Sequence, residues 1–166
     1  MPEKRDSSGE QTLTLDSDLE QLELLHAFID NFCEREGLPD QTCYHLNVAL
    51  EELVINAMKH GACEPSTGAI RLAMRMDGGE VRITMCDTGI AFNPLDVPPP
   101  DLNQNVLSRP VGGLGIHLVR CLIPGIRYER HDGRNYLYLT KPVERDCALV
   151  SEERDTDANG NGDHPA

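Results

Sequence analysis

LNVALEELVINAMKH (residues 46–60) and IRLAMRMDGGEVRITM (residues 70–85) decide the fold, because the spacing of apolar residues changes between them. In the first stretch apolar residues recur every three or four positions, as on one face of an α-helix. In the second they alternate with other residues on both sides of Asp77-Gly78-Gly79, which is typical of two strands joined by a hairpin turn. The predicted core face of the helix, which begins near Asp40, consists of Leu46, Leu50, Leu53, Val54 and Ala57.

The flanking segments extend this pattern in both directions. On the amino-terminal side we predict a short strand over 12–15 and a capping box, S-x-x-E, from Ser17 to Glu20. A first helix then follows until Gly37 and Pro39, with Leu22, Leu25, Ile29 and Phe32 at helical spacing. On the carboxyl-terminal side we predict a Pro-rich loop, a short helix opened by glycines 112–115, and a second hairpin over 126–141, turned at Asp132-Gly133.

This order of elements predicts an α+β fold. We expect a two-layer sandwich, in which a mixed, mostly antiparallel sheet carries its helices on one face. We expect one domain over residues 11–143, a disordered stretch over 1–10 and an acidic disordered tail over 144–166, where seven acidic side chains stand against two basic ones.

Charge and composition exclude several classes of function. The formal net charge of −13 argues against a surface for nucleic acid or anionic membrane, since either requires clustered Lys and Arg. There is no apolar stretch suited to a signal peptide or a membrane span, so we expect a cytoplasmic protein. The six cysteines are scattered without metal-ligand spacing, and we interpret them as reduced and mostly buried.

Three polar motifs are candidates for a ligand site. Glu52, Asn56 and His60 stand four residues apart and form a stripe beside the apolar face of the second helix. Asp87-Thr88-Gly89 ends an apolar strand, where a carboxylate can accept a hydrogen bond from a ligand amine. Glycines 112, 113 and 115 precede a helix, whose amino terminus favours phosphate. Taken singly, a solvated helix face, an ordinary turn and a flexible junction explain these motifs as well.

Together the motifs are much more specific. Helical E-x-x-x-N-x-x-x-H, strand-terminal D-x-G-x-x-F-x-P and G-G-L-G-I-H-L-V follow one another in this order. The combination resembles the ATP-binding domain shared by DNA gyrase, histidine kinases and a heat-shock chaperone, known as the GHKL or Bergerat fold. Within it the chain is most similar to the stand-alone anti-sigma-factor serine kinases of bacterial partner switching, over about residues 12–143.

The resemblance implies a role for each matching position, with ATP and Mg²⁺ as cofactors. Glu52 corresponds to the general base, Asn56 to the Mg²⁺ ligand and Asp87 to the acceptor from the adenine amino group. Residues 95–111 correspond to the ATP lid. The remaining implied nucleotide-binding positions are His60, Gly89, Phe92, Gly113, Leu114 and Gly115. One departure is Ala91, which stands where many members of the wider superfamily have a second glycine.

The implied function is an ATP-dependent serine kinase that phosphorylates a STAS-type anti-anti-sigma protein and has a sigma factor as competing partner. Members of this family often form homodimers through the sheet and the first helix. An alternative is a nucleotide-dependent module that sequesters a partner without phosphorylating it. A histidine-kinase fragment is disfavoured because a long dimerisation helix with a phosphoacceptor is lacking, and we interpret His26 as structural. A hydrolysis-driven conformational cycle would need a transducer domain, for which the chain has no room.

Overall fold

The computed structural model describes residues 9–61, 68–99 and 113–144. Most of the two predicted disordered ends and lid residues 100–111 lie outside these ranges. So do Gly112, Cys63 and Cys147.

Five strands, three α-helices and three short helical turns form the described chain. The strands are β1 (Gln11–Leu15), β2 (Ile70–Asp77), β3 (Glu80–Asp87), β4 (Gly125–His131) and β5 (Arg134–Pro142). The helices are α1 (Leu22–Glu36), α2 (Asp40–Asn56) and α3 (Gly113–Leu122). The turns are 3-10 turns at Leu19–Gln21 and Pro94–Asp96 and a π-helical turn at Ala57–Gly61.

The strands form one sheet in the order β1-β2-β3-β5-β4. The α+β class is confirmed, but all pairings among the described strands are antiparallel rather than mixed. Two tight hairpins account for much of this arrangement, since each reverses the chain within two residues. Gly78 and Gly79 have φ of 60° and 87°, and Asp132 and Gly133 have φ of 51° and 73°, as expected for type I′ turns.

The core lies between one face of the sheet and the helices. Alternate residues of β2 and β3, such as Leu72 and Ile83, are buried against Leu25 of α1 and Leu50 of α2. Each such leucine contributes about 1.5–3 kcal/mol through burial of its side chain. On the other face of the sheet side chains such as that of Arg71 are exposed. The prediction of helices on a single face is therefore confirmed.

The predicted capping box is wrong. The turn before α1 is capped by Asp18, whose Oδ1 accepts from the backbone N–H of Glu20 at 3.0 Å. The Ser17 hydroxyl instead donates to the carbonyl of Met58 at 3.4 Å, so a tertiary contact takes the group that the local motif assigned to the cap. The predicted stop at Gly37 is correct, since Gly37 adopts φ 60° and its N–H bonds the carbonyl of Glu34.

The second helix changes its geometry directly after Asn56. Residues Ala57–Gly61 form a π-helical turn, so Gly61 ends a widened turn rather than a regular α-helix. The α-helical spacing that links Glu52 to Asn56 is therefore not continuous to His60. The side chain of His60 lies outside the described part of the structure.

Within the described residues, no helix combines the length and the apolar character needed to cross a bilayer.

Candidate functional site

A small cavity lies where α2 meets the end of β3. It holds about 20 Å³, room for roughly one water molecule. Its lining includes three of the predicted site residues, which are Asn56 of α2, Asp87 of β3 and Phe92 of the loop after β3. The full lining is Leu53, Asn56, Ala57, Met85, Asp87, Phe92, Pro94, Asn135 and Leu137. The fold thus brings the helix motif and the strand-end motif together.

Asp87 is a buried carboxylate with one oxygen fully engaged. It is 8% exposed, and Oδ1 accepts from the N–H of Gly89 at 2.9 Å and from Nδ2 of Asn135 at 2.8 Å. No donor to Oδ2 is found among the residues that the structure describes. Gly89 thus forms the predicted turn beside Asp87, and the second carboxylate oxygen is available to a ligand donor.

Asn135 is a site residue that the sequence analysis did not identify as one. It lies opposite Asp87 in the β3–β5 register and is 5% exposed. Besides bonding Asp87, its Nδ2 donates to the carbonyl of Ile90 at 2.8 Å. Its Oδ1 accepts from the hydroxyl of Tyr128 at 2.8 Å and from Arg130 at 2.6 Å. The sequence shows Asn135 in the second hairpin, at the end of the stretch that carries the family resemblance, but neither fact reveals a partner 48 residues away.

The carboxylate of Glu52 rests against Gly115 in the first turn of α3. A Cβ atom added to Gly115 would lie 2.8 Å from Cδ and 3.4 Å from Cγ of Glu52, and closer still to its Oε2. A methyl group at this position would therefore displace the flexible carboxylate of Glu52. This contact places an acidic group beside the amino-terminal turn of α3, where backbone N–H groups favour a phosphate.

Asn56 has a side-chain oxygen of the kind that binds Mg²⁺ together with the phosphates of a nucleotide. Its Nδ2 donates to the carbonyl of Glu52 at 2.7 Å, which leaves Oδ1 as a potential oxygen ligand. Among the described residues no cluster of three or more His, Cys, Asp or Glu side chains could hold an ion. Mg²⁺ commonly takes one or two protein oxygens and completes its shell with phosphate oxygens and water. The residues present fit that arrangement and not a protein-only cage.

Arg120, in the last turn of α3, connects this helix to the loop that begins the predicted lid. Its guanidinium donates to the carbonyls of Val97 at 2.9 Å and Pro94 at 3.0 Å, and also to that of Leu95. The sequence analysis did not assign this residue a role. One side chain thus joins α3 to the turn Pro94–Asp96, directly after Phe92.

Several exposed apolar side chains lie on the segments that carry the predicted site. Phe92 is 38% exposed, and Leu114, predicted to contact the nucleotide, is 59% exposed on the first turn of α3. Ile90 and Leu95 are exposed as well.

Glu51, the neighbour of Glu52, points away from the site. Its Oε2 lies 3.1 Å from Nε2 of His26 on α1, and both side chains are 40% exposed. This pair supports the structural interpretation of His26. The two consecutive carboxylates thus face different helices, since Glu52 packs on α3 and Glu51 packs on α1.

A wider concavity, of about 670 Å³, lies elsewhere, between the start of α2 and the end of β5. It is lined by His45, Lys141 and Glu144 among others, and contains none of the predicted site residues. Burial and the positive charge of Lys141 lower the pKa of His45, which Glu144 partly opposes.

The four described cysteines are free thiols. Cys33 and Cys86 are buried and Cys43 partly so, whereas Cys121 is exposed. Burial and the neighbouring Cys43 thiol raise the pKa of Cys33.

Comparisons with known proteins agree with this geometry. Residues 15–141 match the family described as histidine kinase-like ATPase domain. The serine/threonine-protein kinase BtrW of Bordetella bronchiseptica is 30% identical over 113 residues, which cover 68% of this chain and 80% of BtrW. The serine-protein kinase RsbW of Bacillus mycoides is 24% identical over 131 residues, covering 76% and 81%.

Among solved structures, the chain is similar to the RsbU and RsbW domains of a Mycobacterium tuberculosis protein, with a TM-score of 0.61 at 20% identity. The similarity covers 82% of this chain and 33% of that longer one. At this identity it supports the fold.

Proposed function

The chain belongs to the histidine kinase-like ATPase domain family, and from this we propose that it is an ATP- and Mg²⁺-dependent serine protein kinase acting as an anti-sigma regulatory factor. The observation that carries the proposal is the convergence of Glu52, Asn56 and Asp87 around the junction of α2, β3 and α3. The relatives named serine-protein kinases at 22–30% identity support the same activity.

In the proposed complex Asp87 accepts from the amino group of adenine through Oδ2, while Asn56 offers Oδ1 to Mg²⁺, which offsets phosphate charge when bound. Gly113, Leu114 and Gly115 present the first turn of α3 to the phosphates. In this proposal His60 and Phe92 contact the nucleotide on its remaining sides. Because the cavity holds only about 20 Å³, admission of a purine requires the Phe92–Pro94 side to move outward.

Glu52 is proposed as the general base. It takes the proton from a serine hydroxyl as that oxygen bonds to the γ-phosphorus, while the bond from phosphorus to the bridging oxygen breaks and ADP leaves. Phosphoryl transfer depends mainly on positioning and charge stabilisation, so a small site is sufficient. The packing of Glu52 on Gly115 limits the positions its carboxylate can occupy, which favours such positioning.

The proposed substrate is a serine of a STAS-domain anti-anti-sigma protein, and the proposed competing partner is a sigma factor. Both follow from the family of the relatives, as does a homodimer through the sheet and α1. The proposal includes a cytoplasmic location and neither a nucleic-acid nor a membrane partner, in keeping with the net charge of −13.

Calorimetric titration of ATP, with Mg²⁺ and with EDTA, tests the nucleotide site. We expect Mg²⁺-dependent binding in the wild-type protein and its loss in Asn56→Ala. Absence of binding to the wild-type protein in both conditions would refute the proposal.

Transfer of labelled phosphate from ATP to a panel of purified STAS-domain proteins separates a kinase from a sequestering module. Glu52→Gln should keep ATP binding and lose transfer by about 100-fold or more. Glu51→Gln is the matched control, because Glu51 pairs with His26 and should leave transfer unchanged. A wild-type protein that binds ATP and modifies no member of the panel would favour sequestration without phosphorylation.

A further inference from the structure

Every hydrogen-bonding group of the Asn135 side chain is used. An amide offers two N–H donors and a carbonyl oxygen with two lone pairs. Here the donors go to Asp87 Oδ1 and the carbonyl of Ile90, both at 2.8 Å. The oxygen accepts from Tyr128 at 2.8 Å and from Arg130 at 2.6 Å. At 5% exposure little water competes for these bonds.

The chemistry of the partners determines which way the amide faces. Arginine can only donate, so the group that meets Arg130 must be the amide oxygen. The nitrogen is consequently directed at Asp87, and a flipped amide would place oxygen against a carboxylate. Arg130 also donates to the carbonyl of Gly89 at 3.1 Å, which attaches the turn after Asp87 to the same group of side chains.

The consequence for Asp87 is that one oxygen is saturated and the carboxylate cannot easily rotate. Oδ1 accepts a hydrogen bond from Nδ2 of Asn135 at 2.8 Å and another from the N–H of Gly89 at 2.9 Å. Rotation would break both bonds inside a buried site, where an unpaired polar group is costly. Oδ2 is therefore held as an acceptor at a single position.

We propose that Asn135, held by Tyr128 and Arg130, is a positioning residue that makes the site select 6-amino purines over 6-oxo purines. This inference rests on the proposed ATP site. A 6-amino purine presents an N–H donor to Oδ2. A 6-oxo purine presents a carbonyl oxygen at that position, so a fixed carboxylate meets another acceptor. The nearest donor of the 6-oxo purine is N1–H, which lies one atom further along the ring. A carboxylate released from Asn135 can shift toward N1–H and accept from it instead.

Calorimetry of the full chain with ATP and with inosine triphosphate tests this inference. We expect the wild-type protein to prefer ATP by about 100-fold or more, because a site with a fixed acceptor rejects an analogue that lacks the matching donor. In Asn135→Ala the preference should fall below about 10-fold, with inosine triphosphate losing less affinity than ATP. Tyr128→Phe removes only one hydroxyl and should give an intermediate ratio with an unchanged fold.

The control is Asn47→Ala, which removes an amide of the same size from α2, where Asn47 bonds Asp30 and the carbonyl of Cys43. Its nucleotide preference should equal that of the wild type. If Asn135→Ala and Tyr128→Phe weaken both nucleotides equally, or change neither, the positioning role is refuted while the proposed kinase stands. If the wild-type protein binds neither nucleotide, the proposed function itself is refuted.

Discussion

At the scale of single residues, Gly115 lies directly against the carboxylate of Glu52. The two residues are 63 positions apart and come from different helices, yet no methyl group fits between them. A glycine in a helix is normally unfavourable by about 0.5–1 kcal/mol relative to alanine. Its presence in α3 therefore indicates that close approach matters more here than helix propensity.

Gly115→Ala should displace Glu52 and reduce phosphoryl transfer by about 10-fold or more. Stability should change little, because the added methyl meets the mobile end of a side chain and alanine improves the helix. The measurements are ATP affinity, transfer rate and Tm. Any ATP affinity that is lost in Gly115→Ala should be recovered in the double variant that also carries Glu52→Ala. Failure to recover it would contradict the steric explanation.

His45 should make the stability of the protein sensitive to mild acid. Its pKa is lowered by burial and by Lys141, and its Nδ1 has no hydrogen-bond partner among the described residues. Below about pH 6.5 the unfolded chain binds a proton at His45 more readily than the folded chain does, so stability falls as the pH drops below that value. From pH 7.5 to 5.0 the Tm of His45→Gln should therefore decrease less than that of the wild type. Parallel Tm curves would contradict this origin of acid sensitivity.

At the scale of elements, Arg120 joins the last turn of α3 to the loop that follows β3. It extends from α3 to the carbonyls of Pro94 and Val97, which flank the turn that leads to residues 100–111. Hydrogen bonds to a charged donor are stronger than neutral ones, so this single residue can hold the loop on the helix.

Arg120→Gln should weaken ATP binding and lower stability by about 1–2 kcal/mol, since partly buried carbonyls lose a charged donor. Denaturant unfolding and calorimetry measure the two effects. Arg134→Gln is the charge-matched control, because Arg134 is exposed at the start of β5 and should change stability by less than about 0.5 kcal/mol. Equal effects of the two substitutions would show that net charge, and not the loop contact, is responsible.

At the scale of the whole molecule, the ordered sheet ends just before the acidic segment. β5 ends at Pro142, and among the described residues Val143 makes the last backbone bond, to Gly79 at 3.0 Å. The family match ends at residue 141. Negative charge is concentrated after this point, with seven acidic and two basic side chains in residues 144–166.

A chain that stops after Glu144 should keep the Tm of the full chain to within about 2 °C, since a segment so poor in apolar residues has little surface to bury. Its ATP affinity should also be unchanged. Differential scanning calorimetry of the two forms makes the comparison. A loss of several degrees would show that the segment contributes packing or hydrogen bonds to the domain.

The sequence by itself determined the class of the fold, both hairpins and most of the residues assigned to the site. Periods of 3.6 and 2 and the turn preferences of Gly and Asp act over a few neighbouring residues, so they can be read without knowledge of the rest of the chain. The failed capping box shows the limit of such reasoning, because the Ser17 hydroxyl found a carbonyl 41 residues away.

Only the tertiary structure decided which of these local features meet. The register of β3 and β5 places Asn135 opposite Asp87, and the packing of α3 on α2 places Gly115 against Glu52. These contacts join residues 48 and 63 positions apart, and no local period carries information over such separations. Their specificity arises from a buried geometry in which each polar group must find a partner, and that requirement applies to the folded chain as a whole.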